Sequence, residues 1–399
     1  MSLKCAHLTV FATLALTATT AMAADTVAYR AFVADHANGK ITVIDAVTGK
    51  TIAHYGVEGP ARLKANQNGS MIYASQGAQN RVDVIETGIS VTSHGDHADV
   101  SAKPPRMTSA SVLGPKPSHI NIEGGRVAVF FDGDGRAVLQ AEAALLKPGK
   151  TKPALITTSA PHHGLAAPVG EFIAVSTPHP VDAKELPVGL ALLDKASKTV
   201  AQSADCPRMH GEARSGATSA FGCADGVLLL RMTRTGGSFE KVAYPATLPT
   251  GRMVRNMAGG ASVKSFLGDF GPDGMVVIDP VAKDFTFVQL PARRMHFARD
   301  AVNGDFGYVI TEDGKLHKIN ALTGKIETSM GVTDAYSMEG GSAVPRPRLS
   351  ASGDRVVVTD PAKSLVHVID AAKMQLVHKV ATPGAPFDVI VVGATGEDH

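Results

Sequence analysis

The chain has 399 residues, with 39 Lys and Arg against 37 Asp and Glu, a formal net charge of +2. So even a balance leaves no basic footprint for nucleic acid and no cationic face for anionic lipid, and neither is expected as a partner. Forty Gly, 23 Pro and no long charged heptads point to a turn-rich all-β chain with ample apolar residues for a large core.

The first 23 residues read as a secretory signal peptide. Lys4 precedes an apolar, small-residue stretch from Ala6 to Thr20, and Ala21-Met22-Ala23 supplies a small-x-small cleavage site. That stretch is shorter than the ~20 residues a spanning helix needs, and no later segment comes near it, so membrane insertion is not expected. A periplasmic location follows, with residues 24–399 as one mature domain. Cleavage removes Lys4 and Cys5, leaving 38 basic against 37 acidic residues and two cysteines. In an oxidising space Cys206 and Cys223, 17 positions apart, are expected to form a disulfide; a thiolate metal site is the alternative.

From residue 31 onward a strand grammar repeats. Ala31-Phe32-Val33-Ala34-Asp35 is followed by Ile41-Thr42-Val43-Ile44-Asp45 and Thr48-Gly49-Lys50. The pattern returns at 308–325 and 356–370, with weaker copies at 277–280 and 192–195. Each copy alternates apolar and polar residues over four to six positions, as expected of strands, with Asp and Gly suited to the turn that follows. Only 140–146 tempts a helical reading. A repeat of about 40–50 residues is the signature of a β-propeller, one four-stranded blade per repeat. Innermost strands are expected near residues 62, 119, 163, 210, 255, 296, 348 and 388. That predicts eight blades; seven is the alternative, because the region 220–260 is poorly patterned. The last strand, Phe387 to Val392, has no blade after it and is expected to pair with the strands at 31–57, closing the ring.

A histidine recurs at one phase of this repeat. His119, His163, His210 and His296 follow Pro117-Ser118, Pro161-His162, Arg208-Met209 and Arg294-Met295, at spacings of 44, 47 and 86 residues. Innermost strands of a propeller line a common channel, so these imidazoles are expected to converge. Packing alone would accept Leu, Val or Ala there, so the expectation is a Zn²⁺ site of three or four imidazoles; a hydrogen-bonded core role is the bland alternative. Cu²⁺ or Ni²⁺ would also suit these donors. Arg348 and Asp388 hold the matching phase on other blades. His162 should point to the opposite face, and Glu212 is placed to support His210 from behind. Asp35-His36 falls in a turn, as surface decoration or a peripheral ligand.

The one notable insertion, 92–112, holds a second donor group: His94, Asp96, His97 and Asp99 within Ser93-His94-Gly95-Asp96-His97-Ala98-Asp99. Imidazole and carboxylate at this density suit zinc, against the alternative of a solvated polar loop. Whether the loop and the ring form one site or two depends on which face the insertion leaves.

The loop His94-Gly95-Asp96-His97, followed by Lys116-Pro117-Ser118-His119 and Phe130-Phe131-Asp132-Gly133-Asp134-Gly135, resembles the AztD-type periplasmic zinc metallochaperones, most strongly over residues 70–215. The resemblance implies zinc binding and transfer to the zinc-binding solute-binding protein of an ABC importer, rather than catalysis. The family pattern expects a further histidine two positions after the second loop histidine, where this chain has Asp99. Three other readings compete. A metal-dependent hydrolase or lactonase would use Glu212 or Asp96 as base. A haem-binding propeller of the nitrite-reductase type is disfavoured by the absence of CxxCH and of Trp, with only six Tyr. A docking propeller without metal would tolerate loss of the ring histidines.

Overall fold

The computed structural model describes residues 27–93, 98–147, 152–233, 236–339 and 343–396. The segment 1–23, expected from its sequence to be a signal peptide, lies outside them. Among the described residues are eight four-stranded antiparallel sheets, the blades of one propeller ring. Blades 1 to 7 begin with the innermost strands Arg62–Ala65, Pro117–Glu123, Ala166–Val169, Glu212–Ser215, Met257–Ala258, Arg294–Arg299 and Leu349–Ser352. The count of eight therefore stands. The poorly patterned region resolves into blade 4 and the start of blade 5, whose innermost strand has only two residues and so carries almost no pattern.

Blade 8 is composite. Pro386–Thr395 is its innermost strand and pairs with Val27–Asp35, followed outward by Lys40–Asp45 and Lys50–Gly56. The register sets Ala34 against Asp388, Phe32 against Ile390 and Ala28 against Ala394. The closing pairing expected from the sequence is thus present.

Apolar clusters lie between neighbouring blades rather than inside any one. One joins Tyr73 and Val84 of blade 1 to Val127 and Phe131 of blade 2; another joins Val33 and Ile44 of blade 8 to Val357 and Val368 of blade 7. Each sheet is covered on both faces, which corrects the expected apolar–polar alternation. Met71–Gln76, second in blade 1, is buried at every position, as a strand covered on both faces must be. Outer strands such as Lys50–Gly56 are largely exposed.

The turn grammar has its expected chemistry. Asp45 accepts hydrogen bonds from the Val47 and Thr48 amides, and Asp370 does the same for Ala372 and Lys373. Gly49 and Gly324 take φ of 72° and 71°, where a side chain would be strained. A short helix, Glu142–Leu146, occupies the one tempting stretch. No helix among the described residues is long and apolar enough to cross a membrane.

The insertion contributes a hairpin, Ile89–Ser93 with Ala98–Ala102; Arg106–Leu113 is the outer strand of blade 1. Its stem packs Ile89 and Val100 on Ala28 and Ala394. Ala394 is near the end of the closing strand, so the stem stands on the face of the ring opposite the mouth where innermost strands begin.

Cys206 and Cys223 form a disulfide across a Cα separation of 4.8 Å, and both are fully buried. The alternative of a thiolate metal site is thereby removed. The bond closes the loop that holds His210 and Glu212. Closing a loop of this length stabilises by about 3 kcal/mol. The double variant Cys206→Ser/Cys223→Ser is expected to lose stability of that order in urea unfolding; an unchanged midpoint would show that packing alone holds this segment.

Candidate metal centre

All innermost strands run in the same sense, so whatever stands at their beginnings meets at one mouth of the channel. His119 lies within its strand, where the register slips between Pro117 and Ile120. Such a bulge re-aims a side chain out of the regular ladder. His163 and His210 sit in the turns just before their strands, not in them. Gly164 and Gly211 make those turns workable. A Cβ on Gly164 would stand 2.4 Å from His162 Nε2, and one on Gly211, at φ 78°, 2.2 Å from the Arg255 carbonyl oxygen.

The three rings converge. Ring centroids are 5.1 Å apart for His119 and His163, 5.4 Å for His163 and His210, and 6.1 Å for His119 and His210. His119 Nε2 and His163 Nε2 stand 3.5 Å apart. Two nitrogens bonded to one tetrahedral zinc are separated by about 3.3–3.4 Å, given bonds near 2.0–2.1 Å.

Each outward nitrogen is occupied. His119 Nδ1 is 3.1 Å from Glu212, His163 Nδ1 is 2.6 Å from Asp132 Oδ2, and His210 Nδ1 is 2.7 Å from the Arg255 carbonyl oxygen. Carboxylates and a carbonyl are acceptors, so each Nδ1 donates its proton and each Nε2 is left with a lone pair. Two such lone pairs facing one another repel unless a cation or a proton lies between them. A carboxylate or carbonyl behind each imidazole is the usual support of a metal-bound histidine, since it fixes the tautomer and raises the basicity of the other nitrogen. Ser118 donates to Asp132, and Lys64 contacts Asn121 at 3.4 Å beside Glu212.

Among the described residues no group of three or more His, Cys, Asp or Glu stands in a geometry that could hold a metal ion. Within the imidazole trio one pair is at the nitrogen–nitrogen spacing of a tetrahedral zinc, and the third ring stands beside it.

His296 is elsewhere on the mouth. Its Nδ1 accepts the Leu349 N–H at 3.2 Å. Burial, then the charges of Arg348, Arg346, Arg294 and Arg62, hold its pKa well below the ordinary 6.5. A cluster of guanidiniums is hostile to a divalent cation. His162 bonds the Ala160 carbonyl and Ser176, facing away from the trio as expected. His36 packs edge-on against Phe387, and Asp35 accepts the Ala37 and Asn38 amides, a turn role. His94, Asp96 and His97 lie outside the described residues; Asp99 is in the hairpin, paired with Thr92.

Sequence reasoning missed Asp132 and the Arg255 carbonyl as partners. Asp132 had a signal, since it stands in the Phe130–Gly135 segment already singled out; a backbone carbonyl has none.

The paired charges shift each other. Burial disfavours the His119 cation, but the Glu212 carboxylate outweighs it and raises the imidazole pKa. Burial likewise pushes Glu212 up, yet His119 draws it down to about 2. For His210 burial dominates and lowers the pKa, keeping the ring neutral.

These features define a β-propeller with a carboxylate-backed imidazole cluster at one channel mouth. No protein-family model matches the chain. The zinc chaperone AztD of Citrobacter koseri is 39% identical over 376 residues, spanning 94% of this chain and 89% of that protein. The crystal structure of Citrobacter koseri AztD superposes with a TM-score of 0.88, covering 94% of this chain and all of that one. A structure of apo AztD from the same organism gives 0.87 at 38% identity, with the same coverage. The chain belongs to the family of the zinc chaperone AztD. A dihydro-heme d1 dehydrogenase, NirN, shares the fold at a TM-score of 0.60 and 12% identity.

Stability linked to Glu212 is present above its unfolded pKa of 4.5 and lost as pH falls towards 2. The part linked to His119 is present below 6.5 and lost as pH rises through its raised value. In metal-free protein, Glu212→Gln is therefore expected to drop the His119 pKa below 6.5, read by NMR titration of the ring. A pKa that stays raised would mean that another group holds the charge.

Proposed function

We propose that this protein is a periplasmic zinc metallochaperone that takes up zinc as cargo and delivers it to the zinc-binding solute-binding protein of an ABC importer. The carrying observation is the pair His119 and His163, with Nε2 atoms at zinc spacing and both outer nitrogens tied to carboxylates. Kinship with a zinc chaperone supports the same cargo. His119, His163 and His210 hold the ion at the mouth, Glu212 and Asp132 orient the rings, and His296 is not a ligand. With both mature cysteines in a disulfide, the holding donors are nitrogen and oxygen, which release zinc more readily than thiolates.

The loop donors His94, Asp96, His97 and Asp99 form a second site. The stem that carries them stands on the far face of the ring, which favours two sites over one. Secretion by the segment 1–23 puts the protein in the compartment of its recipient. A hydrolase reading is weakened by the placement of Glu212. It faces Nδ1 of His119, on the far side of the ring from the metal-binding nitrogen, where it cannot take a proton from a zinc-bound water.

Competition against a chromophoric chelator tests the mouth site. His119→Ala, His163→Ala or His210→Ala should each weaken zinc binding by more than the roughly 10–100-fold that loss of a supporting carboxylate costs. His296→Ala should leave the affinity as it is. Wild-type affinity in all three trio variants would remove the proposal.

Transfer tests the loop. With zinc-loaded protein mixed with the recipient, His97→Ala should slow delivery while the mouth site keeps its zinc affinity. Transfer at the wild-type rate would assign the loop no part in delivery.

A further inference from the structure

The side of the mouth across from the histidine trio has a different chemistry. Blades 6, 7 and 1 bring four arginines to the beginnings of their innermost strands: Arg294, then Arg346 and Arg348 just before Leu349, with Arg62 completing the arc. Asp388 of blade 8 lies among them. Two of the four are neutralised. Arg348 Nε is 2.6 Å from Asp388 Oδ1, and Arg294 Nη2 is 3.0 Å from Asp269 Oδ2.

Arg62 and Arg346 have no ion pair among the described residues. Arg62 lies over the Phe387 ring at 4.3 Å, and the Arg348 guanidinium approaches the same ring at 5.5 Å. Among the described residues, the hydrogen-bond partner of Arg346 is the Met338 sulfur, at 4.0 Å. These two guanidiniums are thus placed by an aromatic face and a thioether, with no hydrogen bond to an oxygen acceptor among the described residues. Among them sits His296, whose Nδ1 accepts from the Leu349 amide, so its single ring proton is on Nε2 as a further donor. Counting the two aspartates, the arc keeps an excess of two positive charges.

We propose that this arc is an oxyanion site, which takes a carboxylate or another small oxyanion between Arg62, Arg346 and Arg348 beside His296. Guanidinium is the group best matched to such a ligand, because its N–H fork meets two oxygens at once and stays charged at any physiological pH. Like charges held this close destabilise the fold until a counter-charge arrives. Burial first, then the neighbouring Arg348, Arg294 and Arg62, pull the Arg346 pKa down to about 10. The site does not depend on the zinc reading; it uses other residues and the opposite charge.

The same chemistry is met by a free anion or by an acidic side chain of a docking protein, and two probes separate them. Metal-free mature protein is titrated with sulfate and, separately, with a hexaglutamate peptide, at fixed ionic strength in chloride. The readouts are calorimetry and the thermal midpoint. Saturable binding of either probe is expected, weakened roughly tenfold or more in Arg62→Ala/Arg346→Ala, as loss of a charge-assisted hydrogen bond requires. Arg106→Ala, which alters an exposed pair with Glu86, should bind as wild type. Sulfate binding identifies a free-anion site, and binding of the peptide alone identifies a docking site for acidic protein segments. The double variant's thermal midpoint in chloride should equal or exceed the wild-type value, which shows that it folds. Absence of saturable binding by both probes, or equal binding in the double variant, overturns the proposal.

Discussion

The pairing of Pro386–Thr395 with Val27–Asp35 is the interaction on which the rest depends. Without it, blade 8 would lose its innermost strand and the ring would have two open edges. Closure also sets the mouth. Residues 119, 163 and 210 belong to three separate blades, and nothing local holds their rings together. They meet because inter-blade apolar clusters fix the angle between successive sheets, and because the closed ring permits only one such arrangement. The disulfide acts within this frame by restraining the segment from 206 to 223, which carries the third imidazole and the carboxylate behind the first.

At the mouth, hydrogen bonds behind the rings matter as much as the rings. A buried imidazole alone would be neutral in either tautomer. Glu212, Asp132 and the Arg255 carbonyl select the tautomer with a free Nε2 on all three. Two of the three acceptors are anionic, so the cluster is poised for positive charge. Across the channel the polarity reverses: Arg62, Arg294, Arg346 and Arg348 surround His296. One channel mouth thus divides into a side whose rings are backed by carboxylates and a side lined by guanidiniums, although both carry a histidine at the same repeat phase.

That division shows how far the residues could be read in advance. Periodicity was legible because each blade uses similar strand and turn chemistry, visible in Asp45, Asp370 and the glycines after them. The repeat phase brought His119, His163 and His210 to one mouth correctly, since a closed ring converts sequence period into angular position. It could not separate His296 from them, because phase specifies height along the channel and not the neighbours contributed by adjoining blades. Of the arginines around His296 only Arg294 is near it along the chain; Arg346, Arg348 and Arg62 come from other blades, and only the assembled ring counts their charges together. Alternation misled for a related reason: a blade's middle strands are covered on both faces, so Met71–Gln76 has no solvent side.

The all-β class, the number of blades, the closing strand, the cysteine pair and the phase at which donors would stand were all readable from the chain alone. Those are local or periodic properties, carried by turn residues, strand propensity and spacing. Only the assembled ring shows which histidines come together, which acceptor backs each ring, and that the stem of the inserted hairpin leaves from the far face. The physical reason is that each of these depends on distances between blades. Those distances arise from packing many apolar side chains into a closed ring, and no residue or short pattern encodes them on its own.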